Sequence, residues 1–191
     1  MDYGFVKVAA ATPEIKVADC VYNTEAVLTL WRQAEEQGCQ LVAFPELVLT
    51  GYTCSDLFLQ PVLLDGCLTG LKKLISASND LQSVAVVGAP LVHQGKLFNC
   101  AVVIHHGEVL GIVPKTALPT YGEFCEQRHF KAAPAEGTIY CDALCSIGQD
   151  IVPFGTKQLF SSSKQAGFTF AIEICEDLWS PLPPSTQHAM A

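Results

Sequence analysis

Residues 5–46 read FVKVAAATPEIKVADCVYNTEAVLTLWRQAEEQGCQLVAFPE, and this stretch decides the fold class. Phe5 to Ala11 is a short apolar run stopped by Pro13, which predicts a buried strand. Between Asn23 and Gln37, Val27, Leu28, Trp31 and Ala34 share one helical face, and Gly38 is a stop signal. Leu41 to Phe44 is a second apolar run, closed by Pro45. A strand, a helix and a strand in that order predict an α/β fold.

The alternation continues outward. A second helix is expected from Leu63 to Ala77, closing on Ser78-Asn79, followed by a strand over Val84–Gly88. Leu97–Ile104 and Val109–Val113 flank His106-Gly107, which predicts an antiparallel hairpin and therefore a mixed sheet. From Glu123 to Gly155 the pattern is irregular, with Pro134, Gly137, Gly148 and Pro153. Gln158–Ser161 and Phe168–Ile174 read as further strands. There is no internal repeat and no Gly/Ser linker, so residues 1–191 are expected to form one domain. Residues 181–191, PLPPSTQHAMA, hold nothing that would cover the strand before them, and the domain reads as truncated at its C-terminal end.

Composition narrows the function. Half of the 191 residues are hydrophobic and only 16% are charged, so much of the chain must be buried. No run of about 18 apolar residues and no signal-peptide pattern occurs, which predicts a cytoplasmic protein without a membrane partner. Eleven scattered Lys and Arg against a net charge of −8 argue against nucleic acid and for a small-molecule partner. Nine cysteines without a CxxC pair suit free thiols in a reducing compartment, most of them small buried hydrophobes and one of them chemically special. The five histidines have no metal-binding spacing, so no metal is expected. The GxSxG, GxxxxGK and GxGxxG patterns are absent, which removes the main support for serine-hydrolase, P-loop and dinucleotide-binding readings.

Three residues could carry chemistry. Glu46 ends an apolar run, where a carboxylate is costly to bury unless it is paired or protonated, and a carboxylate so placed suits a general base. A solvated loop residue reads equally well. Lys115 follows Val113-Pro114 at a strand exit, where α/β folds place reactive groups; surface charge is the commoner reading. Cys175 leaves the apolar run 168–174 and opens Cys175-Glu176-Asp177-Leu178-Trp179, whose acidic residues suit the first turn of a helix. There the local dipole would favour a thiolate, the nucleophilic form. The alternative is a buried structural thiol.

Taken together, Phe44-Pro45-Glu46-Leu47, Pro114-Lys115 with the run Leu118 to Phe130 (LPTYGEFCEQRHF), and Cys175 to Trp179 (CEDLW) resemble the nitrilase superfamily. With Lys7-Val-Ala-Ala-Ala-Thr-Pro13 they are similar, more narrowly, to the glutaminase domain of bacterial glutamine-dependent NAD synthetases. The resemblance covers nearly the whole chain but none of the family's ATP-using synthetase domain. It departs at Cys125 and His129, where aromatic residues are more usual. It implies an α-β-β-α sandwich with mixed sheets, and glutamine as substrate. It also implies a triad of Glu46, Lys115 and Cys175, with Glu123 as a second glutamate supporting the lysine. Tyr121, Glu176 and Trp179 match positions near the glutamine pocket, though Tyr121 and Trp179 read equally as wall packing and Glu176 as a helix-start residue. ATP, Mg and deamido-NAD are implied on the synthetase domain, and a homo-oligomer is expected. Two other readings stay open: a stand-alone amidase or carbamoyl hydrolase of the same superfamily, and a catalytically incomplete assembly module.

Overall fold

The computed structural model describes residues 4–135, 137 and 139–191. Its first unit is β1 (Val8–Ala10), α1 (Cys20–Glu36) and β2 (Leu41–Ala43), with β1 and β2 parallel. The Asp19 side chain caps α1 by accepting from the Tyr22 N–H at 3.0 Å, one of the donors a helix start leaves open. Val27, Leu28, Trp31 and Ala34 are all buried, as their spacing predicts. Burying each large apolar side chain stabilises the fold by about 1.5–3 kcal/mol. The Trp31 indole N–H donates to Ser83 Oγ at 2.9 Å, so its burial leaves no polar atom unpaired.

Helix α2 (Pro61–Ala77) begins on a proline, whose missing N–H costs nothing at that position. It lies close against α1 at Gly70, where a Cβ would sit 2.3 Å from Thr24 Oγ1. Three long antiparallel strands follow: β3 (Val84–His93), β4 (Lys96–His105) and β5 (Glu108–Pro114). The turn at His106-Gly107 has positive φ at both residues, the backbone that suits a two-residue hairpin. Gln94-Gly95 makes a second such turn that the sequence reading passes over, because β3 is apolar on both faces and shows no alternation to mark its end.

The irregular region contains β6 (Ile139–Cys141) and β7 (Val152–Phe154). β7 pairs in parallel with β5, and the seven-stranded order is β1-β2-β3-β4-β5-β7-β6. A two-stranded sheet of β8 (Phe160–Ser161) and β9 (Thr169–Phe170) is separate. The expected strands 158–161 and 168–174 are thus trimmed to two residues each, since β8 and β9 pair only with one another. Phe5 is 84% exposed, so the first strand is also shorter than expected. The last residues form the short helix α3 (Pro184–Ala189), which buries none of its side chains.

The large sheet has two unlike faces. Ala85, Val87, Ala89 and Leu91 of β3, with Cys100, Val102 and Ile104 of β4, join α1 and α2 in the main core. The alternate residues Val86, Ala101, Val103 and Val113 meet Phe160 and Ile174, with Phe170 and Ile172 packed beside them. The candidate site lies where this second layer meets the strand ends.

Nine free cysteines are recorded, six buried, whereas Cys125, Cys145 and Cys175 are exposed. The expectation that most of the nine are small buried hydrophobes holds for these six, and Cys125 and Cys145 depart from it. No described helix is long and apolar enough to cross a membrane.

Candidate active site

Glu46 sits on the turn after β2, where Leu47 takes a left-handed φ of 52°. The turn presses on β3 at Gly88, where a Cβ would lie 2.4 Å from both the Pro45 carbonyl oxygen and the Leu47 nitrogen. Only a residue without a side chain lets the Glu46 loop come this close. Lys115 follows β5 and is fully buried, 0% exposed. Its Nζ donates to Glu46 Oε1 at 2.6 Å and to Glu126 Oε1 at 2.6 Å. Burial alone would pull the Lys115 ammonium down, but bonds to Glu126 and Glu46 outweigh it and hold it above its ordinary value. It stays charged across the physiological range.

Glu126 is buried in a single turn of 3₁₀ helix. Its Oε1 also accepts from the Tyr52 hydroxyl at 2.7 Å, while its Oε2 is buried without a partner among the described residues. Burial raises its pKa above the carboxylate norm, with Lys115 and Tyr52 opposing and the Glu46 charge adding. The tyrosine is raised in turn, first by burial and then by Glu126.

Cys175 reaches this cluster from the other side. Residues 171–174 have no strand pairing, with Ile172 and Ile174 packed on the sheet face, and Cys175 then takes a φ of 48°, a strained conformation costing about 1–3 kcal/mol for a residue with a side chain. Asp177, 1% exposed, holds the bend. Its Oδ2 accepts from the Ile174 N–H at 3.0 Å. Its Oδ1 accepts from Thr116 N at 2.9 Å, Thr116 Oγ1 at 2.5 Å and Ala117 N at 2.7 Å. One carboxylate therefore ties the residue before Cys175 to the two after Lys115. Cys175 and Glu46 line the same cavity, and the thiol's pKa is raised by partial burial first and the Glu46 charge second, with Lys115 opposing. This corrects the expectation of a dipole-favoured thiolate: the 3₁₀ segment Cys175–Trp179 is only five residues long, and the strongest charge effect on the thiol comes from the Glu46 carboxylate. The resting group is a thiol that needs a base.

The structure thus brings Glu46, Lys115 and Cys175 together. It does not bring Glu123 to them. Glu123 is exposed, and the contact with Lys115 expected of it is made by Glu126. The loop from Leu118 is irregular, so residue counting cannot say which glutamate turns inward. The Glu126 N–H bonded to Pro119 O at 3.2 Å folds the loop so that Glu126 does. Tyr121 donates to both Glu176 oxygens, at 3.0 and 2.8 Å, on the exposed rim, and Trp179 is 73% exposed. A cavity of about 480 Å³ reaches Glu46 and Cys175 over Leu41, Val86, Phe170 and Ile172. Tyr121, Glu176 and Trp179 do not line it. Asn99, Tyr52, Glu126 and Asp177 are the site residues that the sequence reading misses, each a polar side chain buried or half-buried amid apolar neighbours.

A family model described as carbon-nitrogen hydrolase matches residues 7–188. The glutamine-dependent NAD(+) synthetase of Mycobacterium tuberculosis strain H37Rv is 46% identical over 190 residues, which are 99% of this chain and 27% of that protein. The chain thus spans about a quarter of the length of the curated relatives it matches. Among solved structures, a glutamine-dependent NAD(+) synthetase from Cytophaga hutchinsonii superposes with a TM-score of 0.79 at 24% identity, covering 90% of this chain and 28% of that one. A variant of the Nesterenkonia AN1 amidase from the nitrilase superfamily gives 0.66 at 21% identity, covering 92% and 58%. At these identities the two structures show a shared nitrilase-like fold.

Proposed function

This chain belongs to the carbon-nitrogen hydrolase family, and from that premise we propose that it carries the glutamine-hydrolysing site of a glutamine-dependent NAD synthetase. The observation that carries the reading is the meeting of a thiol, a carboxylate and a buried ammonium at Cys175, Glu46 and Lys115. The 46% identity to a mycobacterial NAD synthetase supports the narrower substrate.

A primary amide is a weak electrophile with a poor leaving group, so its hydrolysis needs a base, an oxyanion site and an acid. Glu46 takes the Cys175 proton as sulfur attacks the side-chain amide carbon of glutamine. The negative oxygen forms against Lys115 and the backbone N–H of Glu176; one good preorganised donor contributes on the order of 3 kcal/mol. Glu46 returns the proton to nitrogen, the carbon–nitrogen bond breaks, and ammonia leaves a thioester on Cys175. Glu46 then deprotonates water, which attacks the thioester and releases glutamate and the free thiol. Glu126 holds Lys115 in place throughout. The ammonia then amidates an ATP-activated deamido-NAD; ATP, Mg and the dinucleotide bind a synthetase domain that these 191 residues do not include. The whole protein is a cytoplasmic homo-oligomer in this reading.

Intact-mass analysis after exposure to an electrophilic glutamine analogue tests it. One adduct is expected, on Cys175, prevented by glutamine but not by simple amides, and absent from Cys175→Ala. An unmodified Cys175, or adducts shared with the exposed Cys125 and Cys145, would overturn it.

A further inference from the structure

Asn99 lies on β4, 1% exposed, between the two charged members of the site. Its Nδ2 donates to Glu46 Oε1 at 2.5 Å, the same oxygen that Lys115 holds at 2.6 Å. Its backbone carbonyl accepts from the Lys115 N–H at 2.8 Å. A carboxylate oxygen has two lone-pair directions, so these two donors occupy Oε1 and leave Oε2 as the basic atom. The amide must present nitrogen to the carboxylate, because an ionised carboxylate only accepts.

We propose that Asn99 is a positioning residue for Glu46: by sharing Oε1 with Lys115 it fixes the rotation of the carboxylate, so that proton exchange with Cys175 runs through Oε2. The inference rests on the function proposed above. It has a consequence in pH. The groups facing Glu46 are Lys115, Glu126, Tyr52 and Cys175. Lys115, the cation among them, is divided between two carboxylates, so a neutral donor on Oε1 matters to the ionised state. Removing a donor from a carboxylate favours its protonated form.

The test is the rate of Cys175 labelling by the electrophilic glutamine analogue from pH 4 to 8, in wild type, Asn99→Ala and Asn99→Asp, with melting temperature measured in parallel. Asn99→Ala is expected to move the acid limb of the rate to higher pH by about one unit, the scale of one charge-assisted hydrogen bond, and to lower the rate about 10-fold below it. Asn99→Asp keeps the shape, loses the donor and adds a charge, so its shift is larger, and it keeps the test valid should the alanine variant fold poorly. If wild type labels on Cys175 but both folded variants keep its acid limb, whatever their melting temperatures, Asn99 is only structural and the inference fails alone. If wild type does not label, the proposed function fails and the inference with it.

Discussion

Lys115 and Cys175 arrive at one point by opposite means. The lysine stands at the end of β5, a strand bonded along its length to β4, and is sealed from water between two carboxylates. The cysteine is exposed, left-handed in backbone, and follows four residues that pair with no strand. What the sheet does for the lysine, the single side chain of Asp177 does for the thiol. The charged half of the site is built into the core, whereas the reactive half is held by a clamp.

The largest expected effect comes from breaking the built-in half. Lys115→Met should end labelling of Cys175 within detection. It should also destabilise the protein by about 3–5 kcal/mol, because two carboxylates lose their shared counter-ion in a buried site. The sequence alone would treat Lys115 as removable without harm to folding; its burial between Glu46 and Glu126 says otherwise. The sign with pH follows from Glu126, whose folded pKa is already raised. A raised carboxylate contributes stability below its unfolded pKa and loses it as pH rises through the folded value. The melting temperature of Lys115→Met should therefore fall more steeply than that of wild type between pH 4 and 8. A gap independent of pH would contradict this account.

Breaking the clamp should do less. Asp177→Asn puts an NH₂ group where an N–H donor now points, either at Ile174 or at Thr116 and Ala117. A loss of about 2–3 kcal/mol is expected from bonds to a buried carboxylate, with Cys175 labelling slowed about 10-fold, since an ångström of misplacement is costly to a positioned nucleophile. Normal labelling in a folded variant would show that the thiol finds its place without Asp177. The smallest effect belongs to the exposed rim. Tyr121→Phe removes both bonds to Glu176 and should weaken glutamine's protection of Cys175 a few-fold, while leaving alkylation by iodoacetamide unchanged. Altered alkylation would instead make Tyr121 a support of the thiol.

How much of this was legible beforehand depended on range along the chain. Helix α1 was readable because its stripe and its glycine stop are local, and so was the hairpin at His106-Gly107. Strands β6 and β7 were not. Each is three residues long, too short for a period, and each exists because a neighbouring edge pairs with it. The stretch 168–174 is as apolar as a strand, yet most of it lies flat against the sheet because Ile172 and Ile174 pack on Val86 and its neighbours.

The order Glu46, Lys115, Cys175 and the motifs around them were in the sequence alone, since residue identity and spacing carry the family pattern. Tertiary structure alone decided that Glu126 and not Glu123 bonds Lys115, that Asn99 bonds Glu46 while Asp177 bonds Ile174, Thr116 and Ala117, and that partial burial and the Glu46 charge push the Cys175 thiol up. Those outcomes depend on which groups, distant along the chain, share a buried volume, and a hydrogen bond or a pKa is a property of that neighbourhood, not of the residue.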